Sequence, residues 1–272
     1  MHKPKSLRDA LTVDTIAGGA EQLPASVIKS AGRALQILEM FDVLQRRATV
    51  TEISDLLSYP QSSTTMLLRS LVAMGYLNYD IRERTYVTSS RVALLGKWAA
   101  STLISDGRII QVMRRINERC GQAVVLAARN GLMTQYIHVV QATASVRLFV
   151  VQGSTRPLVR SGTGFALMAE LPDADIRRIV MRVNADGGID GESVRQDDVL
   201  ASVQHVRDKG YAFTIGINTP DAGIIAMPLP PVLAADVGQS AVIGIGAASA
   251  VLVPRRRELL DILLEEFANA GL

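Results

Sequence analysis

Cysteine is almost missing from this chain. Cys120 stands alone among 272 residues, which excludes an intrachain disulfide and a multi-thiolate metal site within one chain. Histidine is nearly as scarce: His2, His138 and His205 are too scattered to suggest a cluster, so neither metal nor cofactor is expected. Aromatic residues supply only 4%, so the core must be built mainly from Leu, Ile, Val, Ala and Met. No apolar run reaches transmembrane length. The nearest, "SAVIGIGAASAVLVP" from Ser240 to Pro254, is short, bears glycine and follows Asp236 and Gln239. The opening "MHKPKSLRDALTVDTIAGG" lacks a secretory apolar core and cleavage pattern, so no membrane partner and a cytoplasmic location are expected.

Catalytic signatures are missing too. There is no GxSxG elbow, Walker A loop or HExxH pair, and "SGTG" lacks the strand–helix dinucleotide signature. Cys120 with His138 or His205 would be a nucleophile and base. However, Cys120 closes the helical stripe "IIQVMRRINERC" and reads as a core or interface residue, and His205 reads as helical surface or packing. No enzyme is expected.

What remains is long enough for two domains, one small and one of ordinary size. Charge is unevenly placed. Residues 1–100 hold 12 Lys or Arg against 9 Asp or Glu, for +3, while residues 101–272 hold 17 of each. That mild bias permits nucleic-acid binding without demanding it. Residues 1–26 lack a sustained period and are read as an arm. Helical spacing then runs from Lys29 to about Phe41, followed by a polar connection from Asp42 to Ala48 and a short helix from about Thr51 to Leu57. Pro60 interrupts, a third helix starts at about Ser62 or Ser63, and Met74-Gly75 ends it. "YLNYDIRERTYVTS" reads as a hairpin with a charged tip.

Three short helices followed by a two-stranded wing, over residues 27–89, make a winged helix-turn-helix. That order gives meaning to the run Ser62, Ser63, Thr64, Thr65. One of the first two can cap the helix, leaving the other hydroxyls to meet phosphates or base edges. Gln61 and Arg69 extend this DNA-facing set, Lys29 and Arg33 begin the first helix, and Arg82 and Arg84 sit at the wing tip. Each feature alone also reads as an ordinary cap or solvated turn. Their order along the chain favours double-stranded DNA as partner.

A linker helix is expected over residues 90–105, with Leu94, Leu95 and Trp98 on its apolar side. Residues 106–272 then read as helix Asp106–Arg119, strands Ala123–Ala127, Thr134–Val140 and Ser145–Val151, a glycine-rich loop with a short helix, and helices Asp173–Val183 and Arg195–Lys209. Strands Tyr211–Ile217, Gly223–Pro228 and Gln239–Ala247 and a last helix Arg255–Ala270 complete the pattern. The class is α+β: a winged helix-turn-helix joined by a linker helix to a larger α/β domain with a mainly antiparallel sheet.

The second domain reads as a sensor or assembly module. In "RSGTGFALMAE", Gly162 and Gly164 bracket Thr163 before a helix, offering backbone donors suited to a carboxylate, or else a tight turn with Thr163 as cap. Met133 and Tyr136, near Gly131, are candidate apolar walls, and Gly223 follows a second turn. Loops converging over one sheet face would make a small pocket for an organic acid. The alternative is a domain that only assembles the readers and senses nothing. Paired reading helices make a dimer the minimum assembly.

The whole resembles the IclR family of bacterial transcription regulators. The similarity is carried by "IKSAGRALQILEMFD", "VTEISDLLSYPQSSTTMLLRSLVAMGYL", "YDIRERTYVTS", "RPLVRSGTGFALMAELP", "VRDKGYA" and "GIIAMPLP". The resemblance implies operator binding as a dimer or pair of dimers, repression or activation of a catabolic or small-molecule operon, and sensing of aromatic or short organic acids. It favours Ser62 to Thr65 and Arg69 for DNA, and Ser161, Gly162, Thr163 and Gly164 with Gly223, Ile224 and Ile225 for the effector. Met66 stands where the family's recognition helix commonly carries arginine. Phe165 stands where its effector loop commonly carries lysine, which implies either a larger or more apolar ligand or a loop that no longer binds one.

Overall fold

The computed structural model describes residues 27–95, 107–144, 148, 150–229 and 240–270. The residue 1–26 arm, Trp98 and most of the expected linker helix lie outside these. The chain divides into two compact units between Ala99 and Ala100.

In the first unit α1 spans Lys29–Leu44, three residues beyond the end expected from periodicity. The extension has a packing cause. Ile37, Met40, Phe41 and Leu44 form one buried stripe, and the helix stops only when Gln45 turns left-handed and donates its backbone N–H to Phe41. The expected polar connection also hides a strand. β1 (Ala48–Thr49) pairs antiparallel with β3 (Thr85–Thr88), which pairs with β2 (Leu77–Asp80), so the wing has three strands in the order β1-β3-β2. Between them lie α2 (Val50–Leu57) and α3 (Gln61–Ala73). Thr49 caps α2 by accepting from Glu52 N. Ile53, Leu57, Leu68, Leu71, Leu77 and Tyr86 close the core with the α1 stripe. Ser90–Leu95, α4, is the described part of the linker helix.

The second unit is built on a six-stranded sheet of order β6-β5-β4-β9-β8-β7, antiparallel at every pairing. Its strands are β4 (Ala123–Asn130), β5 (Met133–Val140), β6 (Thr155–Pro157), β7 (Ala212–Ile215), β8 (Ala222–Pro228) and β9 (Ala241–Ala248). The expected strand Ser145–Val151 is a correction. Its described residues Leu148, Val150 and Val151 are not in a strand, and the Gln141 side chain takes up the backbone of Val150 in place of a ladder. The strand beside β5 on the side away from β4 is β6 instead.

Both faces of the sheet are covered, which is why β4 and β9 read as continuous apolar runs rather than alternating ones. Ala123, Val125, Ala127 and Val242 face α6 (Gly162–Met168), α7 (Asp173–Ala185) and α8 (Gln196–Lys209). Val124, Leu126, Ile243 and Ile245 face α5 (Arg108–Cys120), α9 (Ser249–Leu252) and α10 (Arg256–Asn269). Ile109, Val112, Met113 and Ile116 give α5 a fully buried stripe, worth about 1.5–3 kcal/mol per side chain. Among the described residues, no helix is long and apolar enough to cross a membrane.

Candidate DNA-reading surface and effector site

The hydroxyl run does not behave as a run. Helix α3 begins at Gln61, and its cap position is Pro60, whose extended backbone leads in without a side-chain cap bond. Neither Ser62 nor Ser63 therefore caps it. Ser63 and Thr64 donate to the Pro60 carbonyl at 2.9 and 3.1 Å, and Thr65 donates to the Gln61 carbonyl at 2.8 Å. Thr64 is fully buried beneath α3, so it is removed from the DNA-facing set: helical spacing turns one residue in four inward. The outward stripe is Gln61, Ser62, Met66, Arg69 and Ser70, with Thr65 half-buried at its edge.

The flanking cations are held in different ways. Lys29 is exposed. Arg33 lies 4.6 Å from the Tyr59 ring centroid, and the Tyr59 hydroxyl in turn hydrogen-bonds Gln36, which fixes α1 against the turn before α3. At the wing tip Asp80 Oδ1 accepts from the backbone N–H of Arg82 at 3.0 Å and of Glu83 at 3.2 Å. Those two donors, with Arg47 paired at 3.0 Å, hold the Asp80 carboxyl below the usual carboxylate range. The turn closes with Arg84 at a left-handed φ of 53°, leaving Arg82 and Arg84 exposed. The Arg47–Asp80 pair was not read from the sequence, since 33 residues separate its members.

In the second unit the glycine-rich loop is the first turn of α6, and every residue of that turn is buried. Its cap is Ser161 rather than Thr163: Ser161 Oγ accepts from Gly164 N at 3.1 Å and donates to the Pro157 carbonyl at 2.8 Å. The glycines serve close packing. A Cβ on Gly164 would sit 2.0 Å from the Leu158 carbonyl oxygen, and one on Gly162 would sit 2.7 Å from both Ile224 and Thr214. Thr163 lies against Tyr136, and its hydroxyl makes no hydrogen bond of good geometry. Burial pushes the Tyr136 phenol up, offset in part by Arg156 over its ring and by Thr163.

The expected convergence of loops is only partly present. Gly131 forms the β4–β5 hairpin turn at φ 62°, and Met133 pairs with Pro157 in β6. Gly223 pairs with Ile215, with no room for a side chain. Ile224 lies under Gly162 and against the position of Gly244, filling the space between α6 and β9. Ile225 is fully buried on the opposite face with α5 and α10, because neighbours on a strand alternate, so it cannot line a pocket beside α6.

Open space lies instead on the α8 side of Phe165. One cavity of about 310 Å³ is lined by the apolar Val159, Phe165, Val199 and Ile217 and by the charged Arg160, Arg195, Glu192 and Asp198, with Ser202 among them. A second, about 440 Å³, lies between α8 and β7 and is lined by Phe165, Ser202, His205, Thr214 and Ile217. Arg207 anchors α8 beside them, donating to the carbonyls of Ala169 at 3.0 Å and Leu171 at 2.6 Å and pairing with Asp173. Of the sequence-expected effector residues only Phe165 borders these cavities. Nothing in the periodicity of α8 marks Ser202 or His205 as facing space rather than solvent. Cys120 is buried, and burial pushes its thiol up, away from the thiolate that nucleophilic chemistry requires.

Two family descriptions match this chain: the IclR helix-turn-helix domain over residues 30–80, and the bacterial transcriptional regulator IclR C-terminal domain over residues 107–269. The chain belongs to the IclR family. As an IclR-type regulator it carries a helix-turn-helix DNA-binding domain and a family effector domain. It is similar to the HTH-type transcriptional regulator BhcR of Paracoccus denitrificans, 25% identical over 215 residues, covering 78% of this chain and 76% of that protein. The HTH-type transcriptional regulator XynR of Escherichia coli is 21% identical over 203 residues, covering 75% and 81%. Among solved structures, the effector domain of the putative regulator IclR from Acinetobacter sp. ADP1 matches at TM-score 0.56 and 29% identity, over 62% of this chain and 96% of that one. The Thermotoga maritima IclR matches at TM-score 0.61 and 17% identity, over 89% and 97%, a likeness of fold.

Proposed function

We propose that this IclR-type regulator binds a specific operator through α3 and the wing, as a dimer or pair of dimers, and that a small organic acid controls it. Lys29, Arg33, Gln61, Ser62, Ser63, Thr65, Arg69, Arg82 and Arg84 are the DNA-side residues of this reading. The effector enters beside Phe165. The observation that carries this is the position of Phe165 as a shared wall of two adjoining cavities, with Arg160 and Arg195 lining the first beside the exposed Glu192 and Asp198. Arg160 pairs with Asp190 at 3.1 Å and Arg195 with Asp198 at 3.7 Å, and both aspartates are exposed. Exposed pairs of this kind are worth about 0–1 kcal/mol, so a ligand carboxylate can replace either aspartate. The apolar walls suit an acid with an aromatic or branched body.

Calorimetric screening of aromatic and short-chain acids, followed by operator titration with each hit, tests this. The expected hit moves operator affinity by about 5- to 150-fold and loses binding in Ser202→Phe, which fills both cavities from α8. If no acid binds at millimolar concentration and operator affinity never moves, the domain serves assembly alone. Light scattering that finds a monomer at micromolar concentration would overturn the paired-reader part.

A further inference from the structure

Helix α3 presents a peculiar chemical surface. Around Met66 the hydroxyl protons point back into the helix: Ser63 to the Pro60 carbonyl, Thr65 to the Gln61 carbonyl, and Ser70 to the Met66 carbonyl at 2.9 Å. A carbonyl can only accept, so each of these hydroxyls is the donor, and only its lone pairs remain for a partner. In their midst stands Met66, an unbranched thioether that is 64% exposed although the domain has an apolar core to receive it. Arg69, one turn further on, is the helix's sole cation.

Acceptors beside an exposed apolar tip select among base pairs. Gln61, Ser62 and Arg69 can donate elsewhere on this face, but guanine offers only acceptors in the major groove, which Thr65 and Ser70, the hydroxyls flanking Met66, cannot satisfy. Cytosine offers an amino donor but no methyl. An A·T pair offers both an adenine amino group and the thymine C5-methyl. We propose that Met66 reads a thymine methyl while Thr65 Oγ1 accepts from an adenine amino group, so the base step under the middle of α3 is made of A·T pairs. This rests on the operator-binding reading above and goes beyond it, by naming the bases and the residue that selects them. Methionine suits the task because its flexible, polarisable side chain packs on a methyl without demanding one geometry.

The test uses the full-length chain and an operator obtained by selection from random duplexes. Each operator thymine is replaced in turn by deoxyuridine, which deletes the methyl and keeps the pairing. At one thymine per half-site the replacement is expected to weaken binding about 3- to 5-fold, the scale for one buried methyl. Met66→Ala should bind the thymine and deoxyuridine operators equally, while Met66→Leu should keep the difference. Position 66 is exposed and both replacements are good helix formers, so the fold should survive. A selected operator with no sensitive thymine, or a sensitivity that persists in Met66→Ala, overturns the proposal and leaves operator binding intact. Failure to select any operator overturns both.

Discussion

Glu266 on α10 receives a hydrogen bond from Arg115 on α5 at 2.8 Å, and a second from Arg119, one turn along the same helix, at 2.9 Å. The carboxylate is buried while both guanidiniums reach solvent, and the two bonds clasp α5 to α10. Burial alone would raise the Glu266 pKa. The hydrogen bonds and charges of Arg115 and Arg119 outweigh it and hold the carboxyl below its ordinary range. A depressed carboxyl stabilises the fold above its unfolded-state pKa, and that contribution is lost as pH falls through the folded-state value. Stability of the second domain is therefore expected to drop on acidification below the ordinary carboxylate range. Glu266→Gln should flatten that drop and cost about 1–2 kcal/mol at neutral pH. Urea unfolding of both proteins across acidic pH measures it, and identical pH profiles would remove Glu266 as the cause.

The two glycines of α6 differ in what surrounds them, and substitution should rank them. Gly164→Ala meets main chain at 2.0 Å, which cannot give way, and should cost about 3 kcal/mol or more. Gly162→Ala meets the γ atoms of Ile224 and Thr214 at 2.7 Å, on stiff β-branched side chains that yield more readily than main chain, and should cost less, about 1–3 kcal/mol. Thermal unfolding checks the order. The reverse order would mean that the turn, rather than its packing, decides.

Much of this was legible in sequence, and the limits have physical causes. The winged arrangement followed from spacing, because Ile53, Leu57, Leu68 and Leu71 recur at helical period and Pro60 separates the helices. β1 escaped notice because two residues, Ala48 and Thr49, carry no period; only pairing with Tyr86 and Thr85 makes them a strand. The sequence offers Thr163 as a cap of α6 as readily as Ser161, because a glycine-bracketed threonine and a serine two residues earlier carry the same hydroxyl chemistry. Phe165 was legible as an unusual residue. The cavities it borders were not, since they depend on how α8 sits against β7.

Thr64 separates stability from recognition. The run of four hydroxyls invites the expectation that Thr64→Ala weakens operator binding. Buried, and bonded to Pro60, it should instead cost about 1 kcal/mol of stability in the first domain, with operator affinity unchanged per folded molecule. Paired denaturation and operator titrations decide. A loss of affinity without a loss of stability would return Thr64 to the DNA-facing set.

The wing tip makes a prediction that a solvated turn would not share. Arg84 holds a left-handed backbone at φ 53°, which a side chain tolerates at a cost of about 1–2 kcal/mol. Arg84→Gly should leave the first domain as stable or up to about 1 kcal/mol more so, while removing one cation from the DNA side. If that cation neutralises a phosphate, the logarithmic dependence of operator affinity on salt should flatten by about 1 unit, for selected and unrelated duplexes alike. Arg82→Ala should give the same change in slope with stability within about 0.5 kcal/mol, because its backbone N–H, which Asp80 holds, is retained. Operator titrations across a salt series read both. An unchanged slope in the two variants would leave the tip as a solvated turn, and phosphate neutralisation would then fall to Lys29, Arg33 and Arg69.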